Sequence, residues 1–278
     1  MSKYEQVVTE NGEVGVFVPD SANAIIRTPE EVERAKMFAT LPARKRFHHG
    51  RNYFVSYNDA VAEIIKDLSL IEAGALIKLL LTLKMNGDGR IMSAGKSLNK
   101  ADIARLLGRS RSATNEIIDR LILIGVLISD DTGFRIDEKF HVMGKMAATE
   151  VFTKMYTVRT REIIADLKLS EIGLLYKIIP FFHYSEYYLC VNSNADPKNI
   201  EYMLREGLAE AIGHAPATVT RLVSRLQSAG AILVTGTRNE ARYLVHPDLM
   251  FRQAEGTETK WTWAVRKMFD DHAKKAGR

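Results

Sequence analysis

The sequence has very little cysteine, few tryptophans and no long apolar run. Its single cysteine, Cys190, excludes an intramolecular disulfide framework. No Cys or His spacing matches a zinc site, so we expect no metal. No apolar stretch approaches the roughly 20 residues of a membrane helix, and the first residues lack the apolar core of a signal peptide. These absences predict a cytoplasmic protein without a membrane partner.

Motifs of catalysis and cofactor binding are missing as well. Gly95-Lys96-Ser97 resembles the end of a phosphate-binding loop. However, GxxxxGK[ST] requires glycine at position 90, where Arg90 stands, and Gly89 is one place too early. There is no GxSxG, no HExxH and no glycine-rich dinucleotide loop. We therefore expect neither an enzyme nor a bound cofactor.

The composition is that of a globular protein with a positive balance of charge. The 278 residues are 46% hydrophobic and 26% charged, and the formal net charge is +5. This charge favours a polyanionic partner without proving one. Four cations are interleaved with aromatic residues before position 52, namely Arg44, Lys45, Arg46 and Arg51. They form either an arm that holds phosphate or a solvated basic linker.

Leu208–Leu233 and the residues after it predict two helices joined by a turn and followed by a hairpin. Gly213 ends the first helix, Pro216 takes the first position of the second, and Gly230 ends that one. A polar tip then separates an apolar run from Tyr243–Val245. The inward helical positions are apolar: Leu208, Ala209, Ile212, Val219, Leu222, Val223 and Leu226. This order is that of a winged helix-turn-helix.

The first half of the chain repeats the pattern. Asn99 and Ser110 are suited to cap two helices that end at Gly108 and Gly125, and a DDTG turn follows in a second wing candidate. Residues of the preceding helical region recur 99 places further on, and those of the helix-turn-helix recur 105 places further on. The second copy therefore carries about six extra residues. The pairs at the first offset include Glu63 and Glu162, Leu68 and Leu167, Gly74 and Gly173, and Lys78 and Lys177.

We predict a mainly α fold with small β-wings, made of two tandem winged helix-turn-helix domains from an internal duplication. Residues 1–58 form an N-terminal extension with a strand at Val14–Val18, a short helix from Pro29 and the basic arm. Residues 59–148 form the first winged helix, which opens on a long helical region from Ala60 to Met85. Residues 149–252 form the second, and 253–278 form a C-terminal amphipathic helix.

Two further segments allow more than one interpretation. The aromatic stretch Tyr176–Cys190 could stack on unpaired bases, but its alternation with apolar residues favours core packing. The C-terminal helix carries a stripe of Trp261, Val265, Met268 and His272, flanked by cations that include Arg266. Such a helix docks on its own protein or on a second copy more often than on DNA.

The outward residues of the second helix in each copy are the candidate DNA contacts, because such a helix presents its N-terminal half to base edges. In the second copy they are His214, Thr218, Thr220, Arg221, Ser224 and Arg225, with Arg238 and Arg242 in the wing. In the first copy they are Arg109, Ser110, Arg111, Ser112 and Asn115. Glu116 and Asp119 stand where the second copy has Arg221 and Ser224, and they oppose phosphate, although a glutamate can accept a hydrogen bond from cytosine. The first copy therefore reads DNA through its helix tip or serves partly for pairing.

The second copy, LAEAIGHAPATVTRLVSRLQSAGAI with its wing and YLVHPDLMFR, resembles the winged-helix part of replication initiators and regulators encoded by plasmids and phages. The layout from Ala60 to Arg252 is similar to tandem winged-helix plasmid initiators. The resemblance implies dimerisation and binding to repeated or palindromic sites.

We expect a sequence-specific double-stranded DNA-binding protein of a mobile element, acting as a transcriptional regulator. A replication initiator that binds origin repeats and recruits replication proteins is one alternative. The other is a scaffold that binds a host protein. Both DNA-binding roles begin with the same docking of helices on duplex DNA, so the residues do not separate them.

Overall fold

A computed structural model describes residues 5–8, 14–17, 52–144, 151–236, 240–253 and 258–275 of the chain. The structure is mixed α/β, with about 47% helix and 20% strand. The chain divides into two units, Met1–Phe47 and His48–Arg278. In the described part of the first unit, β1 (Glu5–Val8) pairs antiparallel with β2 (Val14–Phe17). The predicted N-terminal strand is thus present, whereas the predicted helix from Pro29 and the basic arm lie outside the described residues.

The second unit contains two successive sets of elements in similar order. The first set is β3 (Tyr53–Tyr57), α1 (Asn58–Ile64), α2 (Leu70–Leu80), β4 (Met92–Ser93), β5 (Lys96–Ser97), α3 (Lys100–Leu107), α4 (Arg111–Leu123), β6 (Leu127–Asp130), β7 (Gly133–Ile136) and β8 (His141–Val142). The second set is β9 (Phe152–Tyr156), α5 (Thr157–Ile164), α6 (Leu169–Lys177), α7 (Arg205–Ile212), α8 (Pro216–Ser228), β10 (Ile232–Thr235), β11 (Arg242–Val245) and β12 (Met250–Phe251). Short 3-10 helices at Ile179–Phe181 and Pro197–Asn199 replace the β4–β5 hairpin, and α9 (Lys260–Lys275) follows.

A four-stranded sheet joins the two sets, with the strand order β12, β9, β3, β8. Strands β3 and β9 are antiparallel neighbours, and Val55 lies opposite Lys154. These two residues are equivalent in the sequence repeat, so the register has approximate two-fold symmetry about this pair. Tyr53–Tyr57 was assigned to the N-terminal extension from the sequence; in the structure it forms one of the two central strands.

The predicted helical region from Ala60 to Met85 is divided at Ser69 into α1 and α2. The Ser69 hydroxyl accepts a hydrogen bond from the Glu72 amide at 3.2 Å, and the Ser69 amide donates to the Glu72 carboxylate at 2.7 Å. This reciprocal capping box starts α2 as a separate helix. The helical region and its apolar face were predicted correctly, but the last helix of the region ends at Leu80 rather than at Met85.

The aromatic stretch lies in the core, as the packing interpretation predicted. Tyr176, Phe182 and Tyr187 are fully or almost fully buried. The Tyr187 hydroxyl is 2.8 Å from the Thr262 hydroxyl of α9, which ties the C-terminal helix to the same core. These rings are therefore not free to stack on bases.

Helix α9 docks on its own chain, but its buried stripe differs from the predicted one. Val265 and Phe269 are buried, whereas Trp261, Met268 and His272 are only partly covered. Arg266, predicted to flank the stripe, is buried and paired with carboxylates of Asp248 and Glu258 at 2.7 and 2.6 Å. The difference arises because these ion pairs make burial of a charged residue possible. The spacing of apolar residues does not predict such burial.

Candidate DNA interface

A buried lysine of α6 stabilises the turn between α7 and α8 through a hydrogen bond. Gly213 ends α7 in the left-handed region with φ 72°, as the sequence predicted. Lys177 of α6 donates from its Nζ to the Ile212 carbonyl oxygen at 3.0 Å, and burial lowers its pKa to about 8. In the first set the equivalent Lys78 reaches the Leu106 carbonyl oxygen at 3.4 Å. Sequence reasoning noted that these lysines recur but missed their common role in holding the turn.

Helix α8 turns one apolar face inward and a polar face outward. Pro216 occupies its first position, as predicted, and Ala215 before it makes no side-chain capping bond. The inward side chains Val219, Leu222, Val223 and Leu226 are all buried. Because positions three and four apart share a helical face, the outward face is thereby determined. It carries Thr220, Arg221 and Ser224, all of them exposed.

Arg221 is the most available cation of this face. Among the residues that the structure describes, none accepts a hydrogen bond from its guanidinium or forms an ion pair with it. Thr220 is exposed, although its hydroxyl donates to the Pro216 carbonyl oxygen at 3.0 Å. Thr220 and Ser224 also line a cavity of about 420 Å³ together with Tyr243 of β11. The polar face of α8 and the β10–β11 hairpin therefore border the same groove.

The other predicted DNA-contact residues that are described in the second set either contact other side chains or are partly buried. Arg225 places its Nε 3.1 Å from a carboxylate oxygen of Glu171, which is only 4% exposed. The Arg242 guanidinium lies 4.0 Å from the ring centre of Tyr202, a cation–π contact. Thr218 and His214 are half-buried, and burial lowers the His214 pKa. Arg238 lies outside the described residues.

Helix α4 of the first set begins with exposed polar and basic residues. The Ser110 hydroxyl accepts a hydrogen bond from the Ala113 amide at 3.3 Å, which confirms its predicted capping role and limits its freedom to contact a ligand. Arg109, Arg111 and Ser112 are exposed, and Asn115 is half-buried. Within the described ranges neither arginine has an acceptor. The tip of α4 therefore presents two free cations.

The remainder of this first face is acidic. Glu116 and Asp119 are exposed on α4, one and two turns after its tip. The β6–β7 turn carries Asp130, and hydrogen bonds from the Thr132 hydroxyl and amide, followed by Arg90, lower its pKa to about 2. This carboxylate stays charged at neutral pH. Arg90 and Arg135 pair with it at 3.3 and 3.7 Å, so the charge of Asp130 is compensated within the described part of the fold, unlike the charges of Glu116 and Asp119.

Among the described residues, one buried arrangement resembles catalytic chemistry. His141 lies 2.9 Å from the Ser56 hydroxyl through Nδ1 and 2.9 Å from the Tyr176 hydroxyl through Nε2. All three side chains are fully buried, so a substrate has no access to them. The group links the two sets across the sheet and serves packing.

Phosphate-loop and metal-site geometry do not appear in the described part of the chain. Lys96 and Ser97 lie on β5 of a two-stranded hairpin rather than in a loop leading directly into a helix. Across the described ranges, no group of three or more His, Cys, Asp or Glu side chains is arranged to hold a metal ion. No described helix is long and apolar enough to span a bilayer.

Comparison of the chain with known proteins gives no family assignment: no family model matches it, and no curated protein or solved structure matches it significantly.

Proposed function

We propose that the protein binds double-stranded DNA sequence-specifically, with each half of the second unit acting as a winged helix. In this proposal α8 enters the major groove with its outward face, and the β10–β11 hairpin lies along the backbone. A helix fits that groove, and guanine presents two acceptors there that suit the fork of an arginine. Arg221 is the residue that reads a guanine.

The observation that supports the proposal most directly is the availability of the Arg221 guanidinium to a ligand. It is exposed, it has no acceptor in the described part of the chain, and it shares its face with Thr220 and Ser224. A cation left unpaired beside hydroxyl groups is suited to an anionic ligand with acceptor edges. Arg225 contributes differently, since its pairing with Glu171 holds α8 against α6.

The first half contributes phosphate contacts through the tip of α4. Arg109 and Arg111 have no acceptor among the described residues, and they precede the acids Glu116 and Asp119 along the helix. Since phosphate repels these acids, α4 touches DNA with its tip alone. The two halves therefore act unequally, with the second providing most of the base discrimination.

The biological output we propose is transcriptional regulation in the cytoplasm of a cell that carries a mobile element, which rests on the resemblance of the second half to plasmid and phage regulators. A regulator binds upstream of promoters and alters transcription, whereas an initiator binds iterated repeats at an origin. Mapping the bound sites on the element that encodes the protein distinguishes the two.

Selection of duplexes from a random library tests DNA binding itself. The full chain is incubated with the library at moderate salt, and bound duplexes are sequenced over several rounds. We expect one enriched motif, with affinity that falls as salt rises because phosphate contacts release counterions. Failure to enrich any sequence would overturn the proposal and favour a protein-binding scaffold.

A further inference from the structure

The outer face of α4 changes character towards its C-terminal end. Glu116, Asp119, Ile122 and Leu123 are spaced by three or four residues along one side of the helix. Leu123 is 74% exposed, more than any other large hydrophobic side chain in the described residues, and Ile122 is 37% exposed. An isolated exposed leucine needs no explanation, but a leucine beside an isoleucine and two acids forms a distinct surface. We call these four residues the acidic-apolar face.

Comparison with α8 shows that the fold does not require this surface. At the equivalent positions, 105 residues further on, α8 has Arg221, Ser224, Gln227 and Ser228. The two helices have the same length, and their inward residues correspond as Ile117 to Leu222, Ile118 to Val223 and Leu121 to Leu226. Only the outward residues differ so strongly in charge and polarity. Packing of the core therefore does not explain why these four residues are acidic and apolar.

The charges of the face remain uncompensated within the described chain. No described cation forms an ion pair with Glu116 or Asp119. Arg120, the nearest basic residue along the helix, instead donates from Nη2 to the Asp67 carbonyl oxygen at 3.0 Å. DNA phosphate is repelled by this surface, and antiparallel pairing of two such faces would place the acids of one copy against the apolar residues of the other, so the carboxylates would still lack cations. A ligand of the opposite charge with an apolar side chain satisfies both parts of the face.

We propose that the acidic-apolar face docks a protein partner that presents basic side chains beside an apolar one. Lysine or arginine of the partner pairs with Glu116 and Asp119, while an apolar side chain covers Ile122 and Leu123. Arg109 and Arg111 lie at the opposite end of α4, so DNA contact at the tip leaves this face accessible. The proposal does not depend on DNA binding by the second half.

Selection of short random peptides displayed on phage against the full chain tests the proposal. We expect enrichment of peptides in which Lys or Arg adjoins Leu, Ile or Phe. A synthetic enriched peptide is then titrated against wild type and against the triple variant Glu116→Arg, Asp119→Ser, Leu123→Ser, which carries the α8 residues at those positions. We expect affinity to fall about tenfold or more, corresponding to about 1.4 kcal/mol. The matched control, Gln227→Ala with Ser228→Ala on α8, should leave peptide affinity unchanged.

Unfolding in urea checks that the triple variant is folded, and the single variant Leu123→Ser repeats the titration with the acids intact. Equal affinity of wild type and Leu123→Ser, or an absence of enriched basic-apolar peptides, would overturn the proposal. A further titration, with the DNA duplex selected from the random library, distinguishes peptide docking from DNA recognition by this face. Weakened duplex binding or altered base preference in the triple variant would assign the face to DNA instead.

Discussion

Gly74 of α2 and Gly173 of α6 face each other's helix in a reciprocal contact. A Cβ added at Gly74 would overlap the backbone carbonyl oxygen of Leu169, and one added at Gly173 would overlap that of Leu70. Both the glycines and the leucines are equivalent pairs in the repeat. The two helices therefore approach backbone to backbone, about the same approximate two-fold relation as the central strands. This contact holds the two halves of the second unit together.

Alanine at Gly74 or Gly173 is expected to lower the free energy of unfolding by about 3 kcal/mol, because the obstructing atoms belong to backbone and the helices must separate. Urea denaturation measures the effect. Gly207→Ala in α7 is the matched control, since its Cβ would meet only the Met203 sulfur at 3.5 Å. That change should stabilise by up to about 1 kcal/mol through helix propensity. Equal effects at the three sites would refute the close approach.

Substitutions of Arg221 and Arg225 are expected to differ in their effect on the free energy of unfolding. Arg225→Ala removes a partner from the nearly buried Glu171 and should lower the free energy of unfolding by about 1–2 kcal/mol. Arg221→Ala removes no hydrogen bond or ion pair within the described chain and should leave stability unchanged. Denaturation curves of both variants check this difference. Equal destabilisation by the two substitutions would argue against the assigned roles.

Acid should weaken the fold through His141. Burial lowers its pKa to about 3 from the ordinary 6.5. Between these values the unfolded chain binds a proton that the folded chain does not, so stability is lost as pH falls from about 6.5 towards 3. The slope contributed is up to about 1.4 kcal/mol per pH unit. Unfolding measured at several pH values should give a shallower dependence for His141→Gln than for wild type, and parallel curves would contradict this.

The docking of α9 should depend on Arg266. Arg266→Leu leaves Asp248 and Glu258 without their buried cation, so we expect a loss of about 3–5 kcal/mol. Thermal unfolding provides the measurement, and Lys267→Leu, at an exposed neighbouring position, is the control. If Arg266→Leu unfolded no earlier than this control, the ion-pair network would not hold the helix.

The local pattern of the sequence predicted much of the helical layout. Asn99, Ser110, Gly108, Gly213 and Pro216 lie where their backbone chemistry suggested, because caps and breakers act through neighbouring residues. The repeat offset also identified equivalent residues that the structure places in equivalent elements. Winged-helix identity and DNA contact remain predictions.

Long-range relations could not be predicted in this way. Nothing near Tyr53–Tyr57 specifies pairing with a strand about one hundred residues away. Similarly, the sequence predicted Arg225 as a DNA contact and Arg266 as a flanking cation of the C-terminal helix, whereas Glu171, Asp248 and Glu258 pair with them only in the folded chain. Tertiary ion pairs decided which candidate site residues stay available.

Titration of the selected duplex with wild type and Arg221→Ala tests the central claim most directly. We predict that Arg221→Ala costs about 1–3 kcal/mol in binding and relaxes the preference at one base pair. Arg111→Ala should weaken binding to all duplexes alike and reduce its salt dependence, as expected for a phosphate contact. Unchanged affinity and unchanged base preference in Arg221→Ala would contradict DNA reading by α8.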